Sequence, residues 1–160
     1  MANCFEGHYD FVYCIAVSGD GLTAISGSCG RLLVHSVADG SVLKEIDAYE
    51  DWINSLAFSR DGTKLATGSN DRMCRVWDVG EWTVLKEIEH PAPVISVQFA
   101  DDGGLVTGCL DNVVRTRDSG LEWIEADELN GKYIALHKEF MAVTDVNALK
   151  VIDNNGCVFW

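Results

Sequence analysis

A chain of 160 residues, 48% of them apolar, is long enough to bury the core of one ordinary domain, and its net charge of −13 sets the kind of surface it presents. With 12 Lys and Arg scattered among 25 acidic residues, a surface built to hold a nucleic-acid backbone is not expected, and a basic peptide is the better electrostatic match. Apolar runs stay well short of the ~18–20 residues of a membrane span, and residues 1–10 lack both a basic and a hydrophobic region, so neither a membrane segment nor a signal peptide is expected.

The chain then divides into short strands separated by turn signals, with no helical pattern between them. A strand over residues 2–5 leads, followed by strands at 12–18, 23–28 and 31–37. The Asp39-Gly40 turn introduces a fourth at 42–46. A second set reads 53–59, 64–69, 73–79 and 83–88, its first member alternating apolar and polar residues with period two. The third set is 94–100, 105–109, 113–117 and 121–126, and a more divergent fourth is 132–136, 140–144, 148–152 and 157–160. Asp-Gly steps at Asp20, Asp61 and Asp102 recur with a period of 41 residues, and the segment Val42-Leu43-Lys44-Glu45-Ile46 returns almost verbatim as Val84-Leu85-Lys86-Glu87-Ile88. Both prolines, Pro91 and Pro93, fall in one loop, so no strand is interrupted.

Six cysteines stand at 4, 14, 29, 74, 109 and 157 with no Cys-x-x-Cys pair. Cys14, Cys74 and Cys109 fall inside expected strands, where a thiol behaves as a small hydrophobe. Neither a disulfide framework nor a zinc site is expected, and a reducing compartment, cytoplasm or nucleus, fits this usage.

Four short strands repeated every 41 residues and closing, in the second copy, on Val76-Trp77-Asp78 resemble the blades of WD-repeat β-propeller proteins. The resemblance is specific over residues 7–120 and rests on spacing alone beyond. It implies an all-β chain of about four four-stranded blades, at 7–46, 47–89, 90–126 and 127–160. Residues 1–6 would be the outer strand of an adjoining blade. Because rings span roughly four to eight blades, a partial ring or half-propeller is expected, either self-associating as a homo-oligomer or forming part of a larger complex.

Members of the family carry a buried tetrad of His, Ser or Thr, Asp and Trp in each blade. By resemblance His8 and Ser26 belong to the first, Thr67, Asp71 and Trp77 to the second, and His90, Thr107 and Asp111 to the third. Tyr49 stands in the His position of the second blade and Arg117 in the Trp position of the third, while Gly30 and Ser36 fall at the Asp and Trp positions of the first. Each missing member is expected to cost a contact of about 0.5–1.5 kcal/mol. Because His, Ser and Asp recur here at blade spacing and never follow a Gly-x-Ser-x-Gly elbow, a hydrolase triad is not indicated.

The family's partner contacts, carried over by position, give Phe11, Tyr13, Trp52, Asn54, Asn70, Ile95 and Leu110 on one rim. An exposed aromatic group of this kind marks a binding surface. The expected function is therefore a non-catalytic interaction scaffold that holds a protein or peptide partner, with no catalytic residue, cofactor or metal. Two alternatives are a purely architectural half-propeller and, more remotely, a propeller enzyme. The enzyme would need acid, base or metal ligands on inner strands that instead carry Ala16, Ala57 and Gln98.

Overall fold

The computed structural model describes residues 4–121, 129–131, 133–137, 140–144, 149–153 and 158–159, and every regular element among them is a β-strand. In chain order these are β1 (Cys14–Val17), β2 (Thr23–Gly27), β3 (Cys29–Ser36), β4 (Val42–Phe58), β5 (Lys64–Ser69), β6 (Met73–Asp78), β7 (Val84–Glu89), β8 (Val94–Phe99), β9 (Leu105–Cys109), β10 (Val113–Arg117), β11 (Leu129–Asn130), β12 (Tyr133–His137), β13 (Phe140–Thr144), β14 (Leu149–Asp153) and β15 (Val158–Phe159). All pairings are antiparallel between neighbours.

Blade one is β1–β2–β3 closed by the first part of β4, whose Lys44, Glu45, Ile46 and Asp47 pair with β3. From Ile53 onward the same strand turns to β5 and becomes the inner strand of blade two. One 17-residue strand thus serves two blades. β5, β6 and β7 complete blade two, β8 to β11 form blade three, and β12 to β15 form blade four.

Turn chemistry explains the spacing. Asp20 accepts the Ser18 hydroxyl at 2.6 Å and the Leu22 N–H at 2.9 Å, and Asp61 repeats this with the Ser59 hydroxyl at 2.7 Å and the Thr63 N–H at 3.1 Å. The glycines that follow, Gly21 and Gly62, take φ of +71°, a conformation a side chain would strain.

The core lies between blades, because a strand's period of two sends alternate residues to opposite faces. Ile25, Leu32 and Val34 of blade one meet Ile53, Leu65 and Trp77 of blade two. Ala66, Cys74 and Val76 of blade two meet Val94, Val97, Phe99 and Leu105 of blade three. Close approach depends on glycine: a Cβ on Gly68 would lie 2.6 Å from Val94 Cγ1. Inner strands follow one another as an arc, β1 against β4, β4 against β8 and β8 against β12.

This arc is part of a propeller. Val97 and Phe99 of β8 are 4% and 8% exposed beneath blade two, whereas Ile15 and Val17 at the matching positions of β1 are 62% and 55% exposed. Of the expected strand over residues 121–126, all but Leu121 lies outside the described residues. Leu121 itself sits in a turn at φ +64°, and β10 pairs with β11. Residues 1–3 of the expected leading strand also lie outside the described residues, and residues 4–6 join no ladder.

Candidate protein-binding site

Three hydrogen-bonded clusters hold the blades beneath the rim. In blade two, Thr67 Oγ1 lies 2.5 Å from the Tyr49 hydroxyl and accepts the Trp77 indole N–H at 2.9 Å. Arg75 donates its backbone N–H to the same tyrosine oxygen at 3.1 Å, and its guanidinium lies 4.2 Å from the tyrosine ring centroid. Burial raises the pKa of the Tyr49 hydroxyl and keeps it protonated. The tyrosine therefore fills the histidine position, and the contact expected to be missing is replaced.

In blade three, His90 Nδ1 faces the Ile88 carbonyl at 3.2 Å, so that nitrogen carries the proton and Nε2 accepts from the Thr107 hydroxyl at 2.9 Å. Burial, ahead of smaller charge effects, lowers the His90 pKa from 6.5 to about 4. Arg117 pairs with Leu105 as Trp77 pairs with Leu65, which puts it in the tryptophan position, and its Nη1 donates to the Leu121 carbonyl at 3.2 Å.

Blade one corrects the sequence reading. His35 pairs with Ala24 as Trp77 pairs with Leu65, so His35 and not Ser36 holds the tryptophan position. Its Nε2 lies 3.1 Å from Ser26 Oγ, which also contacts His8 Nε2 at 2.6 Å. The cause is a shorter hairpin: Gly27 pairs with Leu32, whereas Gly68 pairs with Cys74 one residue further on. Gly30 accordingly takes the positive-φ place of Arg72, at +72° against +76°, and Asp71 has no counterpart. A signal was present, since the Val-Leu-Lys-Glu-Ile segments at 42 and 84 are spaced by 42 residues instead of 41.

Asp71 and Asp111 cap the hairpin turns of their blades. Asp71 accepts the Met73 N–H at 2.9 Å. Asp111 accepts the Val113 N–H at 3.0 Å and pairs with Arg115 at 2.6 Å.

The rim residues lie at the end of the arc where the inner strands begin. Tyr13 and Trp52, from adjacent blades, stack with ring centroids 5.2 Å apart and planes 24° apart. They are 43% and 44% exposed, and Phe11 and Leu110 remain open beside the same inner-strand ends at 77% and 49%. Asn54 is engaged differently, its amide donating to the Val94 carbonyl at 2.9 Å and tying blade two to blade three. The Asn70 amide donates to Asp51 at 3.1 Å, and Ile95 is half-buried.

Two devices were missed in the sequence. Asp10 accepts the N–H of Phe11, and Asp51 that of Trp52, both at 2.7 Å. This acid–aromatic pair recurs at the repeat period and fixes a carboxylate on the backbone N–H of Phe11 and of Trp52. The second is an inter-blade strut at matching positions of three inner strands. Cys14 Sγ donates to the Ile53 carbonyl at 3.2 Å, Ser55 Oγ accepts the Val97 N–H at 3.1 Å, and Ser96 Oγ accepts the Ile134 N–H at 3.3 Å.

At the opposite end, a cleft of about 500 Å³ between blades two and three is lined by Arg60, Asp61, Lys64, Phe99, Asp101 and Asp102. Arg60 and Asp101 lie 3.3 Å apart across it. Hydrogen bonds from Ser59 and Thr63 hold the Asp61 carboxyl at about 2, as a turn cap would be.

The strand order, the blade-to-blade core and the Thr67–Trp77 cluster define a WD-repeat β-propeller arc. The family described as "WD domain, G-beta repeat" matches residues 2–36, 40–78 and 82–118, and the chain belongs to it. Among curated relatives, Periodic tryptophan protein 2 homolog of Schizosaccharomyces pombe is 32% identical over 93 residues, covering 56% of this chain and 11% of that protein. U5 small nuclear ribonucleoprotein 40 kDa protein of Dictyostelium discoideum is 37% identical over 81 residues, covering 49% of this chain and 23% of that one. Of the solved structures, that of U3-55K superposes with a TM-score of 0.88 at 18% identity, covering 97% of this chain and 53% of the other. The RRP9 WD40 repeats give 0.87 at 19%, covering 98% and 53%. At those identities the likeness shows the fold. The chain spans about half of each solved structure and under a quarter of these two curated relatives.

Proposed function

We propose that the chain is a non-catalytic scaffold segment that presents the Phe11, Tyr13 and Trp52 rim, with Leu110 beside it, to a protein or peptide partner inside a multi-subunit assembly. The observation that carries this is the stacked Tyr13–Trp52 pair, open to solvent and bridging two blades. Exposed, pre-stacked aromatics give large contact area at little ordering cost and are typical of binding hot spots. A relative named for a small nuclear ribonucleoprotein supports an assembly in the nucleus. The same name removes the ground for excluding RNA from that assembly on net charge alone.

The test is affinity capture from cell extract with the wild-type chain and the Trp52→Ala variant. Loss of the captured proteins with unchanged thermal unfolding supports the reading, and an unchanged captured set overturns it.

A second, architectural reading has its own observation in Ile15 and Val17, exposed where Val97 and Phe99 are covered. That face would take a further blade from another segment or a second copy. Native mass measurement tests it: a stable monomer that buries nothing on this face removes the reading.

A further inference from the structure

We infer that the rim takes a cationic side chain, an arginine guanidinium laid on the open face of the Tyr13–Trp52 pair beside Asp51. This rests on the rim being a binding surface and names what it binds.

The molecule itself supplies the pattern. Arg31 lies 5.1 Å from the ring centroid of Tyr9, and the same arginine pairs with Glu45 and, at 3.7 Å, with Asp47. Arg75 lies 4.2 Å from the ring centroid of Tyr49 and pairs with Glu87 at 2.7 Å. Both are triples of arginine, aromatic ring and carboxylate. Each satisfies the two preferences of a guanidinium, a flat π face and an in-plane acceptor. At the rim two members of the triple are present. Tyr13 and Trp52 each cover one face of the other and stay 43% and 44% exposed, and Asp51, next to Trp52 in the chain, accepts the Trp52 N–H and the Asn70 amide. Asp10 repeats the arrangement at Phe11. The arginine is the missing member.

Charge complementarity points the same way. At this end of the blades Asp10 stands in the bend before Phe11, and Glu50 and Asp51 stand in β4 directly before Trp52. Of the arginines at this end, Arg31 pairs with Glu45 and Asp47 and Arg115 with Asp111 at 2.6 Å, while Arg72 lies 4.0 Å from Glu89. A cation arriving at the rim therefore meets the carboxylates of Asp10, Glu50 and Asp51. Arginine is favoured over lysine because its planar group can lie flat on a stacked pair while its edge reaches a carboxylate. Blade three, with Ala92-Pro93 in place of the acid and aromatic, lacks both elements, which places the subsite on blades one and two.

The experiment titrates N-acetylarginine amide into the ¹⁵N-labelled chain and follows the Trp52 indole N–H, identified by its absence in Trp52→Ala. N-acetylcitrulline amide, a neutral isostere, and N-acetylleucine amide are the controls. Expected is a saturable shift with arginine, at least fivefold weaker with citrulline, weakened severalfold by raised salt and by Asp51→Asn. That substitution keeps an acceptor for the Trp52 N–H and removes the charge. Equal binding of citrulline, or an unchanged affinity in Asp51→Asn, overturns the cation inference. If leucine amide binds best, the rim is an apolar site, so the inference fails and the scaffold reading stands. If no probe moves the Trp52 signal while Trp52→Ala still loses captured proteins, the inference again fails alone. Only retention of those proteins by Trp52→Ala removes both.

Discussion

Blades one and two share a strand and a hairpin order but solve the same buried problem with different chemistry. In blade two a tyrosine, a threonine and a tryptophan meet around one hydroxyl. In blade one two histidines meet around Ser26. The register position, not the residue type, determines which side chain enters the cluster, so a blade tolerates replacement wherever the newcomer can still reach the central hydroxyl. What differs is the response to acid. The tyrosine–tryptophan cluster has no group that titrates near neutrality, whereas burial lowers the pKa of both His8 and His35, for His8 with His35 and Arg31 adding to it.

The sharpest way to break the comparison is Trp77→Ala. It empties a side chain that is 5% exposed and removes the donor to Thr67, and should cost about 3–5 kcal/mol in urea unfolding. A loss below about 1 kcal/mol would mean that the blade-two cluster does not anchor its interface.

Acid comes next. The unfolded chain takes up a proton at His90 near pH 6.5 and the folded chain only near 4, so stability falls as pH drops through that window. His90 alone contributes up to about 3 kcal/mol of that loss. His90→Tyr, which copies blade two's own solution, should flatten the pH dependence of the urea midpoint between pH 6.5 and 4. An unchanged slope would place the titration elsewhere.

Gly30→Ala should cost about 2 kcal/mol, because φ is +72° and the added Cβ would sit 2.5 Å from the Tyr49 carbonyl oxygen. Ser55→Ala, which leaves the Val97 N–H without its acceptor, should cost about 1 kcal/mol, and Ser55→Cys, copying Cys14, should recover part of it. Trp52→Ala should change stability least, by under about 1 kcal/mol, because the ring is half exposed. A large loss of melting temperature there would mark Trp52 as structural.

Most of the fold was legible because it is local. Asp-Gly turns, period-two alternation and the absence of internal prolines locate β5, β9, β10 and β13 at the expected bounds. The sequence of β4 reads as two strands, at 42–46 and 53–59, because nothing in residues 47–52 announces that one extended segment can be shared by two blades. The rim was legible in part. Phe11, Tyr13 and Trp52 are exposed, but that Tyr13 stacks on Trp52, and that Asn54 spends its amide on Val94, depends on how neighbouring blades are angled.

By itself the sequence determined the repeat, the strand types, the turn positions and the acidic surface, since these follow from backbone preference and side-chain alternation over a few residues. Tertiary structure decided which residue occupies each buried position. A single residue missing from the β2–β3 hairpin slides β3 by one against the repeat, and that slip puts His35 where counting by 41 puts Ser36. It also decided the contacts between blades, because Cys14, Ser55 and Ser96 acquire their partners only when strands far apart in the chain are packed side by side.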